Sequence, residues 1–251
     1  MTKHLYILTG ASRGMGLAMA EQLLSPDNQL LCISRHTNDT LSVQAARMTC
    51  LLEQWPLDLQ DGLAAGERLK QWLDSLHGSD FTSVTLVNNA GVIPAIAPLS
   101  ATDPAQLMRA LRVGLEAPML MTAAFLGATE HWTLPRKVLN ISSGLGRRAM
   151  ASQTAYCAAK AGMDHFTRCL ALEEALKPQG AKVCSLAPGV IDTDMQVQLR
   201  SANATAFPDQ SSFLSLHKNG QLSSPADAAA QVLARLARAD FGSQPVDDVR
   251  N

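Results

Sequence analysis

The sequence predicts a single α/β domain built on a doubly wound parallel sheet with helices on both faces. Strand-like runs alternate with helix-length amphipathic stretches along the whole 251-residue chain. The strand-like runs, such as LYILT at 5–9 and LLCIS at 30–34, are continuously apolar and do not alternate with polar residues. Strands of that kind are buried on both faces, as in parallel sheets covered by helices. No Gly-, Ser- or Pro-rich linker divides the chain, so one domain is predicted.

The elements follow one another in β-α-β order. Strands are predicted at 5–9, 30–34, 51–59, 84–91, 137–142 and 182–189, with a short last strand at PVDDV (245–249). Helices are predicted at about 14–24, 60–76, 104–130, through the stretch around Tyr156, and at about 225–239. The segment between the second and third strands is too weakly patterned for an assignment. Residues 192–224 are polar and irregular, and an insertion of that length is usually functional, so a substrate lid is predicted there.

Composition excludes several classes of function. Hydrophobic residues make up 47% and charged residues 17%, which is enough for a core and shows no sign of disorder. The net charge of −1 and the 4% aromatic content leave no basic, aromatic-rich surface for nucleic acid. The first apolar run is too short for a signal peptide, and no uninterrupted apolar run approaches a membrane span of about 18 residues. We therefore expect no nucleic-acid partner and no membrane.

The cysteines and histidines point to a reducing compartment. The five cysteines are scattered and never in CxxC spacing, and the six histidines form no ligand pair at helical spacing. Cysteines of this kind are typically small buried hydrophobic residues, not disulfide partners or zinc ligands. We therefore expect a cytoplasmic protein with no metal.

The first strand leads into the glycine-rich turn TGASRGMG (9–16). A turn of this kind between a strand and a helix lets a pyrophosphate approach the backbone and meet amides at the helix N-terminus. The spacing is GxxxGxG, which differs from the more common GxGxxG, and tight packing is the alternative explanation. The position after the first strand favours a Rossmann-type dinucleotide site. The binding residues predicted here are Gly10, Ser12, Arg13, Gly14, Met15 and Gly16.

The end of the second strand predicts which dinucleotide binds. In such folds an acidic residue about 20 positions beyond the glycine turn binds the ribose 2′-hydroxyl. Here the strand ends in CISR, which places Arg35 at that point, and Arg13 lies in the glycine turn. Two guanidinium groups suit a 2′-phosphate, so NADP(H) is predicted. The alternative is that Arg35 is a solvated strand end.

The segment TAYCAAKAG (154–162) brings a hydroxyl and an ammonium together. Tyr156 and Lys160 are four residues apart, so on a helix they share one face. Taken alone, this pair describes a surface helix with a tyrosine packed over an aliphatic stem. A serine at position 143, in ISSG, lies thirteen residues before Tyr156.

Five motifs carry a resemblance that covers almost the full length. TGASRGMG, LDL (57–59), NNAG (88–91), ISS before YCAAK, and PGVIDT (188–193) occur in the order typical of the short-chain dehydrogenase/reductase family, which this chain resembles. The resemblance implies that Tyr156 donates a proton, that Ser143 binds the carbonyl oxygen, and that Lys160 lowers the tyrosine pKa and binds the nicotinamide ribose. A ketone that accepts hydride needs a proton donor within reach, and a free tyrosine titrates near 10. Ser142 is the alternative to Ser143.

The same resemblance assigns the remaining cofactor residues. Asp58, with Leu59 beside it, is placed at the adenine; Asn89, Ala90 and Gly91 at the adenosine ribose; Pro188, Gly189, Val190 and Thr193 around the nicotinamide. Structural alternatives stay open for these motifs. Asp58 is also suited to be the N-cap of a helix, and NNAG is suited to form a tight turn. Pro188 and Gly189 are a proline–glycine pair of the kind that interrupts regular structure in a loop.

The middle helix departs from the family pattern. The family usually has an asparagine there that distorts the helix and holds a water of the proton relay, whereas RVGLEAP places Gly114 at that position. Glycine either keeps the distortion while its carbonyl holds the water, or the relay is impaired.

The last third of the chain predicts the branch. APGVIDTDMQVQLR, FLSLHKNGQLSSPADAA and PVDDVRN are similar to sepiapterin reductases and benzil reductases, which implies NADPH-dependent reduction of a ketone or vicinal dicarbonyl. The apolar residues of the predicted lid either face a substrate or close the core: Met195, Leu199, Phe207, Phe213 and Leu214. An NADP(H)-binding regulatory or scaffold protein with impaired catalysis is the other functional class. A homodimer or homotetramer is expected, formed through the middle helix and the helix with Tyr156.

Overall fold

The computed structural model describes residues 2–251, and within them one sheet of seven parallel strands forms the centre of the protein. The strands are β1 Lys3–Thr9, β2 Asn28–Ser34, β3 Leu51–Pro56, β4 Phe81–Asn88, β5 Arg136–Ile141, β6 Lys182–Ala187 and β7 Val246–Asp248. Their order is β3-β2-β1-β4-β5-β6-β7, and every neighbouring pair is parallel. The predicted doubly wound sheet is confirmed, including its short last strand.

Helices cover both faces of this sheet. They are α1 Gly14–Gln22, α2 Asp39–Arg47, α3 Gly62–Asp74, α4 Pro104–Leu111, α5 Ala117–Thr129, α6 Thr154–Ala175, α7 Asp194–Arg200, α8 Gln210–Lys218 and α9 Pro225–Ala237. Side chains of α1, α2 and α9 form one core cluster, and those of α3, α5 and α6 form the other. The chain thus folds as three layers with the sheet in the middle.

Neighbouring residues of each central strand enter opposite clusters. In β1, Leu5 and Ile7 pack against the α3–α5–α6 layer, whereas Leu8 packs against the α1–α2–α9 layer. All three side chains are at most 1% exposed. Full burial of such a side chain contributes about 1.5–3 kcal/mol, so a polar residue on either face would be costly. This explains why the strands have continuous apolar sequences.

The predicted helix at 104–130 is divided in the structure. α4 and α5 are joined by a π-helical turn at Arg112–Glu116, in which the Ala117 amide donates to the Arg112 carbonyl five residues earlier. From Pro104 to Thr129 the stretch is long and apolar enough, by length and composition alone, to cross a membrane, and half of its most apolar window is buried inside the protein. Charged residues such as Arg112 and Glu116 interrupt this stretch, so it is not one of the uninterrupted apolar runs that the sequence expectation considered. In the structure the stretch packs against α3 and α6.

Three helices lie where the sequence predicts none. α2 follows β2, capped by the Asn38 side chain, which accepts a hydrogen bond from the Leu41 amide. α7 and α8 lie within residues 192–224, which were expected to be irregular. Each of the three has nine or fewer residues and buries only one or two of them. So little burial leaves a periodicity too weak to recognise.

Candidate active site

The turn after β1 requires its three glycines. Gly10 and Gly14 have φ angles of +70° and +55°, in the left-handed region that favours glycine. A Cβ on Gly16 would lie 2.1 Å from the Gly10 carbonyl oxygen. The start of α1 therefore approaches the end of β1 more closely than any side chain would allow, which opens the helix N-terminus toward the sheet edge.

Hydrogen bonds from the neighbouring strands hold this turn in place. The Asn89 Nδ2 donates to the carbonyls of Thr9 and Gly10 over 3.0 and 3.1 Å. The Thr9 Oγ1 in turn accepts from the amides of Asn89 and Ala90. From the other side, the Ala11 amide donates to the Ser34 Oγ over 2.8 Å. The Asn89 side chain is thus committed to the fold, as the tight-turn alternative for NNAG foresaw, although its residue also borders the predicted ribose site.

The carboxyl ends of the strands enclose a cavity of about 800 Å³. It lies where the strand order reverses between β1 and β4, the usual place for a ligand in such sheets. Every residue that the sequence predicts for the catalytic and cofactor sites lines this one cavity. Sequence reasoning missed further polar residues on its wall, among them Arg109, Arg148, Gln153, Gln196 and Arg250. They come from five separate segments, and no local motif marks them.

Arginine side chains collect at the adenosine end of the cavity. Arg35 is exposed at the end of β2 and forms no ion pair within residues 2–251. Burial by itself would raise the pKa of Asp58. Hydrogen bonds from the Gln60 amide and side chain, together with the charges of Arg109 and Arg35, outweigh burial, so the pKa is lowered overall. The N-cap of α3 is Asp61, so Asp58 does not cap that helix. Asp58 therefore lies ionised between two cations at the cavity wall.

Arg13 already has a partner in the structure. Its Nη1 lies 2.6 Å from the Oδ2 of Asp194, the first residue of α7, and both side chains are at least 70% exposed. An ion pair this exposed contributes at most about 1 kcal/mol. It joins the glycine turn to the segment at 192–224 across the mouth of the cavity. Of the two arginines predicted at the 2′-phosphate, Arg35 is thus the uncommitted one.

Three side chains from β5 and α6 meet on the opposite wall. Ser143 follows β5, and Tyr156 and Lys160 lie one helical turn apart on α6. The Lys160 Nζ is 5.7 Å from the centre of the Tyr156 ring and donates to the Ile141 carbonyl over 2.6 Å. Gly91 leaves room beside this ammonium, since a Cβ there would lie 3.9 Å from Nζ.

Burial controls the protonation of this pair. It raises the pKa of Tyr156 to about 12, and the Ser143 hydroxyl, which acts in the other direction, does not offset it. It also lowers the pKa of Lys160 to about 8, against the opposing charge of Asp164. The prediction that Lys160 lowers the tyrosine pKa is therefore wrong for the protein alone. The Lys160 Nζ lies 5.7 Å from the ring centre, and removal of the hydroxyl from water has the larger effect on the tyrosine pKa.

A buried carboxylate lies beneath the pair. Asp164 is 1% exposed and accepts hydrogen bonds from the hydroxyls of Ser142 and Ser185 over 2.5 and 2.7 Å. The Arg147 Nε lies 3.3 Å from its other oxygen. Ser142 also lines the cavity but commits its hydroxyl hydrogen to Asp164, whereas the Ser143 Oγ accepts from the Leu145 amide and its hydroxyl acts on Tyr156. The geometry favours Ser143 over Ser142 as the serine that meets a substrate.

A model of the short chain dehydrogenases matches residues 4–204. The chain belongs to this family. Within residues 2–251, no group of three or more His, Cys, Asp or Glu side chains is arranged to hold a metal ion, and all five cysteines are free thiols.

Relatives of this short chain dehydrogenase include a benzil reductase and a sepiapterin reductase. The chain is 34% identical to a benzil reductase ((S)-benzoin forming) of Bacillus cereus, over 94% of each chain. It is 31% identical to the sepiapterin reductase of Xenopus tropicalis, over 84% of this chain and 82% of the relative. A solved structure of an Agrobacterium tumefaciens protein with bound NADP is 27% identical, covers 99% of this chain and 95% of that one, and has a TM-score of 0.79.

In this dehydrogenase, the apolar residues of 192–224 divide between the two roles left open for them. Met195, Leu199 and Phe213 line the cavity. Phe207 is completely buried, stacks on Phe213 with ring centres 5.6 Å apart, and does not line the cavity. Leu214 is 47% exposed to solvent. Three of the five therefore border the cavity, one closes the core beneath it, and one does neither.

The π-helical turn beside α6 contains Gly114. The distortion expected at this position is confirmed, although glycine replaces the family's asparagine. Pro118 has no amide hydrogen to donate to the Gly114 carbonyl four residues earlier, so an ordinary helical bond to that oxygen is impossible. A Cβ on Gly114 would lie 3.1 Å from the Cβ of Ala159, the residue before Lys160. A side chain at 114 would therefore press on the helix that positions Lys160.

We predict that Gly114→Asn destabilises the protein by about 1–3 kcal/mol, because overpacking against Ala159 forces α6 to move. Ala159→Gly removes the opposing methyl group and by itself should lower the free energy of unfolding by about 1 kcal/mol. In the double variant, the same change should relieve the contact made by the introduced asparagine. Urea unfolding of the wild type, both single variants and the double variant gives the coupling energy, expected to be about 1 kcal/mol or more in favour of the pair. Strictly additive effects would contradict the close approach of the two helices.

Proposed function

We propose that the protein is an NADPH-dependent reductase that acts on a ketone or a vicinal dicarbonyl, with Tyr156 as the general acid. The observation that carries this proposal is the convergence of Ser143, Tyr156 and Lys160 on one wall of the cavity that begins at the glycine turn. The similarity to a benzil reductase and a sepiapterin reductase supports a dicarbonyl or a related ketone as substrate.

The residues at the other end of the cavity fit a dinucleotide phosphate. The close approach at Gly16 leaves the N-terminus of α1 open to a pyrophosphate, and the residue directly after β2 is Arg35, not a carboxylate that would repel a 2′-phosphate. Arg35 is exposed there as a donor to that phosphate, and the NADP bound to the Agrobacterium tumefaciens relative supports the same choice. NADPH supplies the hydride when it is bound.

The proton comes from the protein. With its pKa raised to about 12, Tyr156 stays protonated at neutral pH and is ready to donate. The carbonyl oxygen becomes alkoxide-like as hydride arrives, and an alkoxide is a far stronger base than a phenolate, so the transfer remains favourable. Ser143, whose hydroxyl lies beside that of Tyr156, donates a hydrogen bond to the same oxygen. Lys160, held by the Ile141 carbonyl, is positioned to bind the nicotinamide ribose and to stabilise the phenolate that forms.

We predict that Tyr156→Phe abolishes reduction and leaves NADPH binding nearly intact, because only the proton donor is lost. General acid catalysis is worth about 10²–10⁴-fold, so turnover with benzil should fall by at least a hundredfold. Nicotinamide absorbance measures turnover, and NADPH fluorescence measures the Kd. Tyr6→Phe is the matched control, since Tyr6 is the other tyrosine and lies in β1, outside the cavity.

An equal loss of NADPH affinity in Tyr156→Phe would instead assign the hydroxyl a structural role. Tight NADPH binding by the wild type, with no consumption across a panel of ketones and diketones, would favour the NADP(H)-binding regulatory protein.

We predict that Arg35→Asp raises the KM for NADPH about ten- to a hundredfold and that for NADH far less. The change removes a charge-assisted hydrogen bond to the 2′-phosphate, worth about 1.5–3 kcal/mol, and adds repulsion. Steady-state kinetics with both cofactors measures the ratio. Arg47→Asp makes the same charge change at an exposed residue of α2 outside the cavity and should leave the ratio unchanged. Equal effects of Arg35→Asp on the two cofactors would show that Arg35 does not meet the 2′-phosphate.

We propose that the protein is a homodimer or homotetramer formed through α4–α5 and α6. Large apolar side chains are exposed on these helices and at the C-cap of α6. Met108 and Met119 are 51% and 45% exposed, and Leu172 and the C-cap residue Leu176 are 73% and 87% exposed. Light scattering at micromolar concentration should give a multiple of 26.8 kDa, and Leu172→Glu should lower it. Val43→Glu on α2, at a valine 52% exposed, is the control that should leave the mass unchanged. A wild-type monomer would exclude the proposal.

A further inference from the structure

The third residue of α7 brings a polar group to the cavity that the proposed chemistry does not use. Gln196 is 7% exposed and lines the cavity. Its Oε1 is inaccessible to solvent and accepts no hydrogen bond within residues 2–251. The Nε2 end of the same amide stays accessible and donates none within that part of the chain. An unpaired amide in a buried position destabilises a fold, so its presence calls for a role.

Other glutamines of this segment use their amides for structure. The Gln198 Nε2 donates to the Pro94 carbonyl over 3.0 Å. The Gln210 Nε2 donates to the carbonyls of Arg200 and Ala202 over 2.9 and 2.7 Å. Gln196 has no such partner, so packing alone would be served at least as well by an apolar side chain of similar size.

The residues around Gln196 place it beside the catalytic wall. Met195 and Leu199, on either side of it, belong to an apolar cluster that also contains Cys157 and Leu145. Cys157 follows Tyr156, and Leu145 is two residues after Ser143. Gln196, Ser143 and Tyr156 thus line one cavity, and their sequence neighbours pack in one cluster.

We propose that Gln196 is a specificity residue that binds the oxygen on the carbon next to the reacting carbonyl; this inference rests on the proposed function. The Nε2 would donate to the second carbonyl of a vicinal dicarbonyl. After a half-turn of its last torsion, the same amide would present Oε1 to the hydroxyl of the 2-hydroxy ketone product. An amide serves both ligands, whereas the guanidinium groups of Arg148 and Arg250, which also line the cavity, only donate.

Benzil and deoxybenzoin test this inference, because deoxybenzoin is benzil with one carbonyl replaced by a methylene group. Gln196→Leu should lower kcat/KM for benzil about tenfold and change that for deoxybenzoin less than about twofold. NADPH affinity should not change, and the variant should unfold at the same temperature as the wild type or higher, because an unpaired amide is removed. Gln198→Leu, the matched control on the same helix, should leave the benzil-to-deoxybenzoin ratio unchanged.

Calorimetric binding of both compounds to the protein with NADP⁺ provides a readout without turnover. Gln196→Leu should weaken benzil about tenfold and deoxybenzoin hardly at all. Selective binding by a wild type that reduces neither compound would sink the proposed function and leave the Gln196 assignment standing. An equal loss for both compounds, no loss for either, a fall in NADPH affinity, or a marked drop in unfolding temperature would overturn the assignment.

Discussion

Two hydrogen bonds from one amide hold the cavity in shape. The Asn89 side chain, at the end of β4, donates to the carbonyls of Thr9 and Gly10, at the end of β1. These are the two strands between which the sheet order reverses, so the connections leave in opposite directions and open a crevice there. The tie fixes the glycine turn against β4, and through it the N-terminus of α1. The cofactor end of the cavity depends on that arrangement.

The wall of the cavity that contains Ser143, Tyr156 and Lys160 depends on a second arrangement, a set of buried charged side chains. Lys160 is 4% exposed, and one turn further along α6 the carboxylate of Asp164 is 1% exposed. Asp164 accepts hydrogen bonds from Ser142 and Ser185, and its charge is paired with that of Arg147, which lies between β5 and α6. A lysine so placed titrates near 8 and is held by a backbone carbonyl, which limits its movement. Removal of these charges from water is unfavourable, and their hydrogen bonds and the ion pair offset part of that cost.

Most of the fold could be predicted because burial on both faces leaves a mark on the sequence. β1 and β2 each contain four consecutive apolar residues, and β4, β5 and β6 are largely apolar without regular alternation, so these strands and their order could be predicted. The π-helical turn between α4 and α5 was expected at Gly114 only as a distortion, without its type. α2, α7 and α8 escaped prediction because each buries too few residues to set a period.

The sequence by itself determined the features that depend on local spacing. The glycines of the first turn are required by positive φ angles and a close approach within seven residues, and Tyr156 and Lys160 share a face because they are four apart on a helix. Only the tertiary structure decided what these groups experience. Burial raises the pKa of Tyr156, whereas the spacing to Lys160 predicted a lower pKa. Asp194 pairs with Arg13 from 181 residues away, and the Gln196 Oε1 is buried without a hydrogen-bond partner within residues 2–251. Desolvation and long-range contacts arise from the crossovers of the chain, and no local pattern records them.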